Sequence, residues 1–170
     1  MMAVIVTSIA FSSCKKSSTP APVPSTTTSM KLTANGTALS FNDCQEVEID
    51  VNDAPQTTFT GVNVTGGKPG DERFEVDIMH SPTTLKAGQT YPAATSFAQP
   101  GGSALFYYPN ANDTYITQPK NPQGTVTITE VTATTISGTF SGKLFADNDF
   151  DGITVVYTIT NGSFTAKINK

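Results

Sequence analysis

The sequence predicts an all-β protein: an antiparallel β-sandwich or open barrel of about ten strands, ending in a four-stranded meander, after a disordered N-terminal tether. Two observations support this prediction. Apolar and polar residues alternate with a period of two in many segments, and Pro, Gly and Asn clusters separate those segments. No stretch of about 10–12 residues has the apolar spacing of an amphipathic helix.

The first half of the predicted domain contains clear strand segments. Asn35-Gly36 predicts a tight hairpin turn, because both residue types tolerate positive φ. Two further segments alternate acidic residues with Val, Ile or Phe, which predicts strands that are covered on one face only. The strands expected here span residues 30–33, 37–41, 46–51, 57–65 and 73–79.

The middle section is looser, and the C-terminal third is the most regular. Short extended pieces are expected at 90–91, 104–108 and 114–116. The meander is then predicted from strands at 125–131, 136–145, 153–160 and 163–169, with a second tight turn at Asn161-Gly162. Gly138 and Gly142 fall on the inward face, where a missing side chain leaves room for a bulky neighbour or a bulge.

The N-terminus has the organisation of an export signal. Residues 3–11 form a short, uncharged, mostly apolar run, followed by Ser12-Ser13 and then Cys14. A cysteine directly after small residues resembles the bacterial lipobox, in which the thiol is acylated and the signal is cut just before it. The alternatives are a buried strand and a membrane span, but a span needs about 20 apolar residues. No Lys or Arg precedes the run, which favours a true start upstream.

The chain therefore divides into three expected parts. Residues 1–13 form a signal peptide, and residues 14–29 comprise the lipidated Cys14 and a disordered Ser/Thr/Pro tether. The alternating prolines of this tract favour an extended polyproline geometry. Residues 30–170 form a single β-domain, which the tether would hold away from a bilayer.

Composition limits the partners. The net charge is −4 and no basic stripe is present, so nucleic acid is not expected as a partner. The expected partners are a bilayer, through Cys14, and a glycan, a peptide or an envelope protein; the domain is expected to be monomeric. Of the two cysteines, lipidation of Cys14 would leave Cys44 without a disulfide partner, so we expect Cys44 to be a small packed residue.

No catalytic pattern is present, and an enzyme is not expected. His80 is the only histidine and follows a predicted strand, where a surface position is favoured over a general base. The sequence has no nucleophile elbow and no phosphate-binding loop. Alternate carboxylates at 46–50 and 75–77 have a spacing that glycosidases use. A solvated sheet face is the favoured interpretation, because no sugar-stacking Trp accompanies them.

One segment resembles the opening of a calcium loop. Asp147, Asp149 and Asp151 occupy ligand positions 1, 3 and 5, and Gly152 occupies position 6. Position 12 is Thr158 rather than Glu, and no helices flank the loop. The alternative is a polar β-turn, for which Asp, Asn and Gly are the usual residues. No other cofactor is expected.

Two binding functions remain open beside a purely structural role. Tyr107, Tyr108 and Tyr115 lie in the loose middle section, where exposed rings would hold a glycan or a peptide. Neighbouring residues on a strand face opposite ways, so only part of this cluster can form a platform, and core packing is the alternative. A lipocalin-like carrier of a small apolar ligand would instead need an internal cavity.

Four segments carry a family resemblance: Leu85–Tyr91, Gly124–Glu130, Ile136–Phe140 and Ile159–Phe164. Together with the Ser-Cys-Lys-Lys junction they resemble Bacteroidota-type envelope lipoproteins that carry a β-rich domain of unknown function. The resemblance implies a lipid-anchored protein of the outer membrane and transfers no functional residue. Lys15-Lys16 replaces the acidic cluster that marks surface export in that group, which favours a periplasm-facing location over the cell surface.

Overall fold

The structure is a computed structural model that describes residues 27–42, 44–51, 59–80, 84–97 and 100–168. For residues 46–51 and 59–60 it describes the backbone alone. All regular elements in these ranges are β-strands, and they form one eleven-stranded sheet. The predicted all-β, antiparallel fold class is confirmed. The signal peptide, Cys14 and most of the predicted tether lie outside the described residues.

The first nine predicted strands each overlap an observed strand, in the same order. These strands are β1 (Ser29–Ala34), β2 (Thr37–Asn42), β3 (Gln45–Val51), β4 (Phe59–Gly67), β5 (Arg73–Ile78), β6 (Thr90–Pro92), β7 (Ser103–Tyr108), β8 (Tyr115–Ile116) and β9 (Gly124–Val131). Two long strands follow, β10 (Thr135–Ala146) and β11 (Val155–Ile168).

The two long strands bend the sheet into a nearly closed barrel. One edge of β11 pairs with β10, and its other edge pairs first with β1 and then with β3. The free edge of β10 likewise pairs with β9 and then with β8. A circuit of neighbouring strands runs from β11 through β3, β4, β5, β7 and β8 back to β10. The paired strands are antiparallel except for the short contact of β11 with β3.

The predicted turn at Asn161-Gly162 is wrong: both residues lie within β11, so the expected four-stranded meander has three strands. Between Phe140↔Gly162 and Gly142↔Ile159, β11 advances by one residue more than β10, which is a β-bulge. The register with β1 shifts at the same place. Asn161 has a φ of 53°, the positive value that the Asn-Gly pattern permits. Because β1 and β10 pair with β11 both before and after this residue, the chain forms a bulge here instead of a turn.

The core lies between the inward faces of the barrel wall. The rings of Phe74 and Phe140 stack across it with centroids 5.2 Å apart. Two glycines accept the phenylalanines paired with them on the adjacent strand: Gly138 pairs with Phe164, and Gly162 pairs with Phe140. An added Cβ would lie 2.6 Å from Phe164 at Gly138 and 2.4 Å from Phe140 at Gly162. The room expected at Gly138 is therefore used by an aromatic ring.

Two local predictions are confirmed, one by backbone angles and one by side-chain burial. Asn35 and Gly36 have φ values of 47° and 85°, as a two-residue hairpin turn between β1 and β2 requires. In β5 the residues Phe74, Val76 and Ile78 are fully buried, as the alternation predicts. On β3, Glu46 and Glu48 pair in register with Val64 and Val62; the side chains of 46–51 are outside the described part.

Candidate binding site at the loop end of the barrel

Four connections meet at one end of the barrel. The backbone N–H of Asp147 donates to the carbonyl of Thr114 at 3.1 Å, which joins two long loops. The hydroxyl of Tyr107 donates to Glu72 Oε1 at 2.6 Å, which joins a third connection to the same region. We call this region the loop end; it comprises the turn at 35–36 and the connections at 68–72, 109–114 and 147–154.

The chain enters the barrel at the opposite end of β1 from the turn at 35–36. Asn35 belongs to the loop end because its side chain bonds the backbone at the start of β11: Nδ2 donates to the Val156 carbonyl and Oδ1 accepts from the Thr158 N–H, both at 2.8 Å. The described chain reaches β1 at Ser29, and β1 ends at Ala34 beside this turn. At about 3.3 Å per residue, the point of entry and the turn at 35–36 are separated by roughly 17 Å along β1.

A tyrosine cluster lies under the loop end. Tyr107 and Tyr115 are register partners, and both contact the ring of Tyr157 edge-on, at centroid distances of 5.0 and 4.9 Å. Burial, together with the bond to Glu72, raises the pKa of Tyr107. Burial and the neighbouring Tyr115, Asp113 and Glu72 also raise the pKa of Tyr157. The hydroxyls of Tyr107 and Tyr157 therefore stay protonated at neutral pH and can donate hydrogen bonds.

The three tyrosines singled out in the sequence do not form one flat platform. Tyr107 is buried, Tyr115 is half-buried against Tyr157, and Tyr108 lies on the opposite face of the sheet. The Arg73 guanidinium covers Tyr108, with its carbon 3.5 Å from the ring centroid. Sequence analysis missed Tyr157 as a member of the cluster; only its place on a half-buried strand pointed to it.

A polar groove opens beside this cluster. Asn110 shapes one wall, since its Oδ1 accepts hydrogen bonds from the backbone N–H groups of Asn112 and Asp113 at 2.8 and 3.2 Å. The groove has a volume of about 260 Å³, and amide, carboxylate and phenol groups line it together. Its lining residues are Asn112, Asp113, Thr114, Tyr115, Ala146, Asp147 and Asn148.

The three carboxylates of the predicted calcium loop do not converge. Asp149 Oδ2 accepts from the backbone N–H groups of Ile153 and Thr154 at 3.0 and 2.8 Å. Asp151 pairs with Lys120 at 2.6 Å, and Asp147 lines the polar groove. Among the residues that the structure describes, no group of three or more His, Cys, Asp or Glu side chains is placed to hold a metal ion. The loop has the bonding of a polar β-turn.

A second polar cluster lies on the outer face of β4, β5 and β7. Arg73 Nε donates to Glu75 Oε1 at 2.9 Å, and Asn63 Nδ2 donates to Asp77 Oδ1 at 2.5 Å. Burial raises the pKa of Asp77 to about 7; the bond from Asn63 opposes this shift and Glu75 adds to it. Burial and the Glu75 charge also raise the pKa of Tyr108, to about 12, against the opposing effect of Arg73.

The remaining candidates have structural surroundings. Cys44 is buried and its thiol faces the Phe41 carbonyl at 3.8 Å, which confirms the expected packed position. His80 is half-buried in the connection after β5: its Nδ1 lies 2.5 Å from Thr84 Oγ1 and its ring contacts Tyr91 edge-on at 5.7 Å. Cys14 lies outside the described residues.

Comparison with known proteins adds no relative. No family model, no curated protein and no solved structure matches the chain. Among the residues that the structure describes, no helix is long and apolar enough to cross a membrane.

Proposed function

We propose that this protein is a lipid-anchored, non-enzymatic binding protein of the bacterial envelope, held to the outer membrane by an acylated Cys14 and facing the periplasm. The apolar run, the small residues and the cysteine at the N-terminus support the anchor. Lys15-Lys16 supports the periplasmic orientation through the resemblance to envelope lipoproteins. We further propose that the ligand binds at the loop end.

The observation that carries this proposal is the position of the chain entry relative to the loop end. A tether that joins the domain at Ser29 arrives at the far end of β1 from the turn at 35–36. A domain anchored through residues 14–29 therefore holds the turn at 35–36, and the start of β11 that it bonds, away from the attachment point. The groove and the tyrosine cluster lie at this accessible end.

The groove favours a polar, hydroxyl-rich ligand such as a glycan. Asn112, Asn148, Asp113 and Asp147 supply donors and acceptors at its wall, and Tyr115 supplies a ring edge. A carrier of an apolar ligand is less well supported, since stacked phenylalanine rings occupy the interior described above. Calcium is not needed by this proposal, because Asp149 and Asp151 already have other partners.

The non-enzymatic assignment follows from the chemistry available at the loop end. His80, the only histidine, packs against Tyr91 and Thr84, which belong to none of its four connections. The carboxylates of the polar groove stand beside amides and a phenol, a set that recognises hydroxyl groups through hydrogen bonds. We therefore assign the groove to binding.

The anchor is tested by metabolic labelling. Cells expressing the full protein are fed a fatty-acid probe, and the wild type is compared with Cys14→Ala. We expect label on the wild type and none on the variant, with Cys44→Ala, the matched cysteine control, still labelled. Equal labelling of wild type and Cys14→Ala would refute the anchor.

The ligand class is tested by thermal unfolding with neutral disaccharides at millimolar concentration. A ligand that binds only the folded state raises the melting temperature. We expect at least one sugar to do so for the wild type, and we expect Asn148→Ala together with Asp113→Asn to remove the shift. Glu130→Gln changes an exposed acid on β9 and should leave the shift intact. A shift that survives in the groove variant would place the sugar elsewhere.

A further inference from the structure

A second surface of the loop end is apolar and lies beside the polar groove, with which it shares Asp147. Among the described residues, the large apolar side chains that are exposed are Phe150, Ile153 and Val155, with exposed fractions of 71%, 79% and 39%. Single exposed apolar residues are ordinary, but these three fall within six consecutive positions, at the end of the β10–β11 connection and the start of β11. We call residues 150–155 the apolar knuckle.

Hydrogen bonds hold the apolar knuckle in a defined shape. The Asp149 carboxylate accepts from the backbone of Ile153 and Thr154, and the Gly152 N–H donates to the Asp149 carbonyl at 2.9 Å. Asn121 Nδ2 donates to the Gly152 carbonyl at 2.7 Å, which ties the knuckle to the barrel. Gly152 has a φ of 62°, a conformation that side chains disfavour. A surface fixed before binding loses little entropy when a partner docks.

The knuckle borders a groove that suits an apolar side chain. The groove has a volume of about 360 Å³, within the size range of ligand sites. Its walls are mainly carbon, from two aromatic rings, an isoleucine and a proline. The lining residues are Phe97, Ile116, Gln118, Pro119, Lys120, Asp147 and Phe150.

The charge around this surface selects among occupants. Asp147, Asp149 and Asp151 surround Phe150 in the sequence, and only Lys120 lines the groove as a cation, where it pairs with Asp151. A second copy docked face to face would bring two such acidic loops together, which costs energy. Anionic lipid surfaces are repelled for the same reason. A cationic segment gains from the same field.

We propose that the apolar knuckle and its groove dock a basic protein segment that carries apolar side chains. One or two of those side chains would enter the groove against Phe150 and Ile153, and Lys or Arg residues would face Asp147 and Asp151. This interaction is separate from ligand binding in the polar groove, although Asp147 borders both surfaces.

The test uses fluorescence anisotropy with the full chain and three short labelled peptides: alternating Lys-Leu, alternating Glu-Leu and alternating Lys-Ser. We expect the Lys-Leu peptide to bind best. Phe150→Ser with Ile153→Ser should weaken its binding by about tenfold or more, the loss typical of removing buried anchors. Asp147→Asn with Asp151→Asn should weaken it several-fold, and Glu130→Gln, which removes one exposed acid elsewhere, should leave it unchanged.

Several outcomes would overturn the proposal. They are absence of binding by the Lys-Leu peptide, equal binding by the Glu-Leu or the Lys-Ser peptide, and full affinity in the Phe150→Ser, Ile153→Ser variant. Self-association in sedimentation, or binding to phosphatidylglycerol vesicles, that this variant loses would assign the knuckle to another occupant. The variant should still be acylated and should still respond to sugars, so its failure is distinct from failure of the proposed function.

Discussion

Asp77 is the residue at which burial and charge conflict most directly. It is the register partner of Asn63 on β4, which donates to its carboxylate, and it interacts electrostatically with Glu75 on its own strand and with Tyr108 on β7. Its pKa rises from 3.8 to about 7 in the folded protein, mainly because burial penalises the charged form. The contribution of protonated Asp77 to the free energy of unfolding is therefore fully present below pH 3.8 and is lost as the pH rises towards 7.

We expect Asp77→Asn to stabilise the protein at alkaline pH. Asparagine keeps the acceptor for Asn63 but cannot ionise, so the variant does not lose stability between pH 4 and 7. At pH 8 its free energy of unfolding should exceed that of the wild type by at most about 4 kcal/mol. The measurement is urea unfolding as a function of pH. Asp71→Asn, at an exposed acid, should follow the wild type; parallel curves for Asp77→Asn and wild type would contradict the argument.

At the same scale, the sequence predicts which face a side chain takes but not what it meets there. Alternation correctly separates Tyr107 from Tyr108, because adjacent residues on a strand face opposite ways. The contacts of Tyr107 with Tyr157 and Glu72 depend on which strands pair and in which register. That information is not local, so the cluster could not be predicted from the chain around each tyrosine.

Among the elements, β11 shows why a turn signature can fail. Asn-Gly permits positive φ, which a hairpin turn and a β-bulge both use. Asn35-Gly36 forms a turn because the two strands that it joins, β1 and β2, pair with each other. Asn161-Gly162 forms a bulge because β1 and β10 pair with β11 both before and after it. The choice is therefore made by neighbouring strands, which the dipeptide itself does not specify.

The close packing at this bulge makes Gly162 sensitive to substitution. A Cβ there would lie 2.4 Å from the Phe140 ring, which is buried and cannot move freely. We expect Gly162→Ala to destabilise the protein by about 2 kcal/mol or more, the cost of overpacking a core. Chemical denaturation of the variant measures this value.

Two matched variants separate the clash from the backbone effect. Gly36→Ala places Ala at a positive φ, a backbone strain that Gly162→Ala does not have, but its Cβ meets nothing within 4 Å, so it should cost less. Phe140→Leu makes room beside Gly162, so the double variant with Gly162→Ala should lose less than the sum of the single losses. Strict additivity would exclude the Phe140 contact as the cause.

The β10–β11 connection gives a further prediction at this scale, on calcium. Since Asp149 and Asp151 are bonded to backbone amides and to Lys120, calcium would have to displace these partners. We expect millimolar calcium to leave the melting temperature unchanged. A rise that Asp149→Ala abolishes would instead restore the calcium loop that the sequence pattern indicates.

For the whole molecule, the fold class is predictable because the alternation of apolar and polar residues is a local pattern. Closure of the barrel is not predictable, because it depends on pairing between distant strands. The circuit is completed by two short contacts, β3 with β11 and β8 with β10, of two register pairs each. Pieces as short as Tyr115–Ile116 carry almost no signal in a sequence. Their position depends on pairing with β7 and β10, which only the folded barrel brings together.

This topology makes the last strand the one that the whole barrel depends on. β11 contacts β1, β3 and β10 and contributes Ile159, Phe164 and Ala166 to the core. We expect a chain ending at residue 154 to remain unfolded by circular dichroism.

A chain beginning at residue 27 should melt at the temperature of the full protein, because every described strand pairing lies between Ser29 and Ile168. A lowered melting temperature in the second chain would show that the N-terminal segment packs on the domain rather than serving as its tether.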